Sequence, residues 1–233
     1  MTKIIIEETE VEVIKKNVKN LNLSVRPPNG EVRLSAPKRM TEEEIKSFII
    51  SKITWIRKHQ QRFENLEIIP KREFVSGEIH YFLGDKYTLN VIFRNIGKSK
   101  VNIRDKRYID LYVKEGSEKE EREYIMKEWY RKELKLVIPS LIYKWEKTMG
   151  VKVHEFGVKQ MKTRWGTCNT RDKRIWINLE LTKLSPYFLE YIVVHEMAHL
   201  LERGHGPNFK AIMDKYYPNW KNVKDELNGM IFL

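Results

Sequence analysis

The sequence predicts an α+β fold in two parts: a β-rich α+β domain over residues 1–116, then a domain over residues 117–233 made of a helix, a small antiparallel sheet and two further helices. Three observations carry this. Short runs alternating apolar and polar residues dominate the first half. An apolar stripe at helical spacing starts just after Gly116-Ser117, and Ser185-Pro186 opens a mostly apolar stretch that contains His195 and His199.

Met1 to Val13 alternates Ile and Val with Glu, the period of a strand. Leu21 to Val25 and Val32 to Ser35 alternate on either side of Pro27-Pro28-Asn29-Gly30, which predicts a hairpin reversing at those turn residues. Thr41 and Glu44 form a capping box, in which hydroxyl and carboxylate each accept an otherwise orphaned backbone N–H. The helix it opens carries Ile45, Phe48, Ile49, Ile53 and Ile56. After Pro70, Tyr87 to Val91 and Ile109 to Val113 read as strands, with turns at Gly77, Gly84 and Gly97. His59 and His80 stand alone, and exposed or capping roles are expected of them.

In the second half Met126, Tyr130, Leu134, Val137, Leu141 and Trp145 step by three or four residues along a long helix, with a kink at Pro139, which has no N–H for the ladder. Val151 to Thr163 and Arg174 to Leu179 read as two strands joined by a polar turn around Asn169 to Asp172. Ser185 supplies a hydroxyl N-cap and Pro186 a first-turn proline for a helix in which Leu189, Ile192, Val193, Ala198, Leu200 and Leu201 continue up to Gly204. Pro207 opens a last helix with Phe209, Ile212, Met213 and Tyr216 at i, i+3, i+4 and i+7, ending before Pro218.

At 233 residues with 41% hydrophobic content, the chain can build ordinary cores in two small domains or one large one. No apolar run approaches the length of a bilayer crossing, and the first residues lack the basic-then-apolar form of a secretory signal. Cys168 is the single cysteine, so no intrachain disulfide can form. A cytoplasmic protein with no membrane partner is the expectation. The net charge is +12, spread evenly over the two halves, with no basic tail set apart from the fold.

The chemistry sits in His195-Glu196-Met197-Ala198-His199 and the following Gly204-His205. Histidines four apart on a helix lie one above the other on one face, so both reach a single metal ion, and the glutamate between them flanks it. In a chain with 6 histidines chance predicts roughly 0.02 copies of this pattern. Either histidine alone would read as a core imidazole satisfied by hydrogen bonds; the pair, with a third at hand, does not. Gly204 is expected in the left-handed conformation that ends a helix, turning the chain so that His205 faces the other two. Glu202 is the competing carboxylate, but it would have to reach back past His199 and is expected outside the ligand set. Three protein ligands leave a fourth tetrahedral position for water, the catalytic arrangement of Zn2+, whereas structural zinc is usually closed by four ligands rich in cysteine. Glu196 is placed to take that water's proton and pass it to a leaving amine.

Two features flank the motif. Lys159, Lys162, Arg164, Arg171, Lys173 and Arg174 stand against one acid, Asp172, and form either a solvated face or a nucleic-acid surface. Arg164, Trp165 and Gly166 follow the first strand of the pair. An open strand edge beside a metal cleft can bind a peptide as an added strand, with glycine allowing close approach; equally, Trp165 can pack in the core with Gly166 at a bulge.

Arg164-Trp165-Gly166-Thr167-Cys168, the stretch Tyr191 to Leu200, and Gly204 to Phe209, in that order, resemble the YgjP-like metallopeptidases, relatives of the SprT-like proteases. The C-terminal match runs from near Glu128 to near Trp220; more loosely, Arg26 to Pro37 and Phe74 to Leu83 look like the family's β-rich N-terminal part. The resemblance implies a zincin catalytic fold, zinc on His195, His199 and His205, Glu196 as general base, and polypeptide as substrate. His205 follows His199 at metzincin spacing, but Glu202 stands where that pattern has glycine, so the turn is shifted to Gly204. SprT-like relatives act on proteins attached to DNA. The alternative function is a DNA-associated or partner-binding protein, either with an SprT-like protease domain or with a zinc that is structural.

Overall fold

The computed structural model describes residues 2–26, 29–64 and 72–229, so Pro27 and Pro28 of the expected hairpin lie outside the described residues. The chain is α+β and divides into two compact units, Met1–Pro70 with Asn228–Leu233, and Lys71–Leu227.

In the first unit β1 (Thr2–Ile6) and β2 (Thr9–Lys16) form an antiparallel hairpin, as do β3 (Asn22–Arg26) and β4 (Glu31–Pro37). The hairpins join through parallel pairing of β2 with β4, giving the order β1-β2-β4-β3. Alternation turns Val11, Val13, Val32 and Leu34 inward, where α1 (Glu42–Glu64) covers them with Ile45, Ile49 and Ile56. The expected capping box is present: Thr41 N–H donates to Glu44 Oε2 at 2.7 Å and Glu44 N–H to Thr41 Oγ1 at 3.2 Å.

The second unit begins with the same connectivity. β5 (Ile79–Phe82), β6 (Asp85–Arg94), β7 (Lys100–Arg104) and β8 (Tyr108–Lys114) run in the order β5-β6-β8-β7, two hairpins with a parallel centre. α2 (Lys119–Met149) packs on this sheet, with Tyr130 donating its hydroxyl to the Tyr81 carbonyl at 3.0 Å. The division expected at 116/117 therefore falls inside one unit, because the inward side chains of β5 to β8 share their core with α2. The buried stripe of α2 is Met126, Tyr130, Leu134, Ile138, Ile142, Trp145 and Met149, so from Leu134 onward it runs one residue beyond the expected Val137 and Leu141. Pro139 sits on the exposed side. His80 is buried, not exposed.

The small sheet differs from expectation too. It has three strands, β9 (Glu155–Lys159), β10 (Gly166–Asn169) and β11 (Arg174–Asn178), in the order β10-β11-β9. It is mixed and not purely antiparallel. A tight turn makes β10 and β11 a hairpin, whereas the chain leaving β9 crosses to the far side of β11, so β9 pairs with β11 in parallel. A 3-10 helix (Leu179–Lys183) follows, then α3 (Pro186–Ala198), α4 (Pro207–Tyr216) and an unexpected α5 (Trp220–Gly229), which buries Trp220, Val223 and Leu227. Among the described residues no helix is long and apolar enough to cross a membrane.

Candidate metal centre

α3 is fixed from three sides before it carries any chemistry. Ser185 occupies the N-cap position, though its hydroxyl makes no capping bond, and Pro186 sets the first turn. The β5–β6 turn packs against that end: a Cβ on Gly84, at φ +91°, would come within 3.0 Å of Ser185 Cα. Leu83 N–H donates to the Thr182 carbonyl at 2.7 Å. Trp145 of α2 donates its indole N–H to Glu190 at 2.9 Å. Nine of the thirteen residues of α3 are buried, Glu196 among them at 4% exposure.

The helix stops earlier than expected. It ends at Ala198, and Leu200, Leu201 and Glu202 donate back to the carbonyls of Met197 and Ala198 at 3.0 Å, closing the last turn tightly. Gly204 is not left-handed. The chain reverses instead through a bend in which His199 Nδ1 meets the Glu202 carbonyl at 3.1 Å and Gly204 N–H donates to Glu202 Oε1 at 3.3 Å. Glu202 thus holds the turn and orients His199, leaving the Nε2 of that ring free.

This brings His195, His199 and His205 together, with one nitrogen of each lying within 4.8 Å of the others. His195 Nε2 and His205 Nε2 are 3.0 Å apart. Phe209, fully buried on α4, lies against all three rings, with centroids 5.0, 4.7 and 4.7 Å from those of His195, His199 and His205. Burial pushes His195 down to about 3, helped by the neighbouring imidazoles, and also lowers His199 against the pull of the Glu202 carbonyl. Both rings are held in the neutral form that a metal ion needs. The donor set therefore fits a divalent cation that accepts imidazole nitrogen.

Glu196 lies under β10. A Cβ on Gly166 would fall 2.6 Å from Glu196 Oε1 and 2.8 Å from Cγ, so at that point the strand passes directly over the carboxylate and only glycine fits. Burial pushes Glu196 up to about 8, with the Arg164 guanidinium pulling the other way. Arg164 is exposed and Trp165 half-buried, just ahead of β10. β10 is an edge strand, and among the described residues no strand pairs with its outer edge.

Asn178 is the site residue that sequence reasoning missed. Buried at the end of β11, it donates through Nδ2 to the carbonyls of Met161 at 3.0 Å and Arg164 at 2.8 Å. Its Oδ1 accepts from Met161 N–H at 3.3 Å and Glu180 N–H at 3.2 Å, and its own N–H donates to the Trp165 carbonyl at 2.9 Å. One amide therefore pins the loop that presents Arg164 and Trp165. The basic stretch is partly neutralised: Arg174 pairs with Glu155 at 3.2 Å and Asp172 at 3.1 Å, and Lys159 lies 4.7 Å from the centre of the Trp176 ring.

The sequence model described as YgjP-like, metallopeptidase domain matches residues 19–230. The chain belongs to the YgjP-like family. That match spans both compact units of this YgjP-like chain. No curated protein matches it. Among solved structures it is similar to the metallopeptidase zymogen of Pyrococcus abyssi abylysin, at 19% identity and a TM-score of 0.36 over 39% of this chain and 90% of that one. It is similar also to the metallopeptidase zymogen of Methanocaldococcus jannaschii jannalysin, at 17% identity and a TM-score of 0.35 over 39% and 92%.

Proposed function

We propose that this protein is a cytoplasmic, zinc-dependent peptidase with a zincin-like catalytic centre. The observation that supports it most is the convergence of three histidine nitrogens, with the residue after His195 a buried glutamate that carries no hydrogen bond to another described residue. His195, His199 and His205 would hold the ion. Zinc bound there supplies Lewis acidity and brings the pKa of its water close to neutral.

Glu196 takes the proton from the attacking water at its carboxylate and delivers it to the leaving amine, the role of a positioned general base and acid. The extended polypeptide adds as a strand to the free edge of β10. Gly166 leaves room there for two backbones and the Glu196 side chain together, and Arg164 and Trp165 form the rim of the cleft. Asn178 keeps that rim in register with the carboxylate.

Glu196→Gln is expected to fold and retain its metal while hydrolysis of casein falls by about a hundredfold or more. Unchanged hydrolysis in that variant would remove the mechanism.

A further inference from the structure

The sheet β5-β6-β8-β7 turns Leu89, Ile109, Leu111 and Val113 into the core. Alternation then puts Arg94, Lys100, Arg104, Tyr108, Tyr112 and Lys114 on the opposite face. Register sets Lys100 across from Tyr112, Arg104 across from Tyr108, and Arg94 across from Lys114. The Arg94 guanidinium lies 3.9 Å from the centre of the Tyr112 ring, Lys100 Nζ is 5.1 Å from the same ring, and the Arg104 guanidinium is 4.4 Å from the Tyr108 ring. Asp110 is the one acid that these four strands turn to this face. It is buried, and its carboxylate accepts from Arg104 at 2.8 and 3.2 Å and from Asn90 at 3.0 Å. In the β7–β8 turn, Asp105 meets the same Arg104 at 3.4 Å. Arg94, Lys100 and Lys114 are all exposed and form no ion pair among the described residues.

We propose that this sheet face binds single-stranded nucleic acid, with phosphates on Arg94, Lys100 and Lys114 and a base stacked on Tyr108, which is 37% exposed. Unpaired cations attract any polyanion, but only unpaired bases use a tyrosine ring. A duplex hides its base faces, whereas a vesicle or an acidic peptide would use the charges and leave the ring idle. The surface is remote in sequence from the histidine motif, and the inference does not depend on the peptidase reading. It also moves the nucleic-acid question away from the segment 159–174, where Arg174 already has two carboxylates.

The test is fluorescence anisotropy on the full chain with a labelled oligothymidylate of about 15 nucleotides, a site size suited to stacking platforms. A salt series and an abasic strand of equal length accompany it, with a DNA duplex, phosphatidylserine vesicles and polyglutamate as competitors. The oligothymidylate is expected to bind at low salt, with the abasic strand weaker by about fivefold or more. Replacing Arg94, Lys100 and Lys114 together by Gln should lower the slope of log affinity against log salt by about 2, since each single-strand phosphate contact contributes about 0.7. Tyr108→Leu should weaken binding by about fivefold or more, and Tyr108→Phe should restore it. Arg104 is left intact because it satisfies Asp110, and circular dichroism melts verify the fold of each variant. No binding at low salt, equal affinity for the abasic strand, or tighter binding to any of the competitors overturns the proposal. None of these readouts involves hydrolysis, so the outcome is separate from that of the peptidase reading.

Discussion

Among the described residues the first unit closes over Val11, Leu34, Ala36, Ile45, Ile49 and Ile56 with Thr9 as its one buried polar side chain, whereas the second buries His80, Asp110, Ser117, Asn178, Thr182 and Glu196. Both units start from the same four-stranded connectivity, so the contrast does not come from topology. A buried polar group costs stability unless it is partnered, and most of these are: Asp110 by Arg104 and Asn90, Thr182 by the Leu179 carbonyl, Asn178 by the 161–165 loop. Glu196, like the Ser117 hydroxyl, has no hydrogen bond to another described residue, and it directly follows His195 in the chain. A core built only of aliphatic side chains holds a sheet together. A core that also buries unpaired acid and imidazole can do chemistry, at a cost in stability.

The largest effect that would sharpen this contrast lies in the aliphatic core. Leu34→Ala, at a fully buried position, should cost about 2–5 kcal/mol in urea unfolding of the first unit and leave metal content unchanged. Loss of metal in that variant would break the distinction between the units. Gly166→Ala comes next. The new methyl has to displace Glu196 or lift β10, so casein hydrolysis should drop by about a hundredfold with zinc retained, the scale set by a misplacement of about 1 Å. Retained activity would show that the strand does not sit on the carboxylate.

Smaller again is Asn178→Ala, which strands two carbonyls and two N–H groups in the loop. It should cost about 1–3 kcal/mol in thermal unfolding and raise KM for peptides more than it lowers kcat. A fall in kcat alone would move Asn178 from holding the rim to a part in proton transfer.

The smallest effect is in acid. Burial, with Arg72 and Lys183 nearby, pushes the His80 imidazole down to about 3, so the unfolded chain takes up a proton first as pH falls. The contribution of neutral His80 is complete above its ordinary pKa of 6.5 and is lost progressively as pH drops toward 3. Between about pH 6.5 and 5.5 that amounts to at most about 1.4 kcal/mol. His80→Gln should flatten the metal-free protein's stability against pH over that window; an unaltered slope would leave the acid sensitivity with His195 and His199.

The sequence made the site more legible than the architecture around it, for physical reasons. His195 and His199 share a helix face whatever surrounds them, and the capping box at Thr41 and Glu44 is a local arrangement that forms within one turn. The β1–β2 hairpin turns at Glu7 and Glu8, both at positive φ, with no glycine or asparagine to mark it. β10 is four residues long and separated from β9 by a crossing, so periodicity merged the first strand with the loop after it. The role of Asn178 depends on partners 14 and 17 residues away, and Phe209 reads as one more apolar helix position until its ring is seen against three imidazoles. Gly204 shows the reverse: a residue type that permits the left-handed turn did not adopt it, because the Glu202 carbonyl and carboxylate close the bend instead.

The account stands on one metal ion held by His195, His199 and His205, and metal analysis of purified protein tests that most directly. The parent should carry one equivalent of zinc, His205→Ala should lose most of it, and Glu202→Gln should keep it, since the Glu202 carbonyl that orients His199 is unchanged. Full zinc in His205→Ala together with loss in Glu202→Gln would contradict the ligand set and with it the catalytic reading of Glu196.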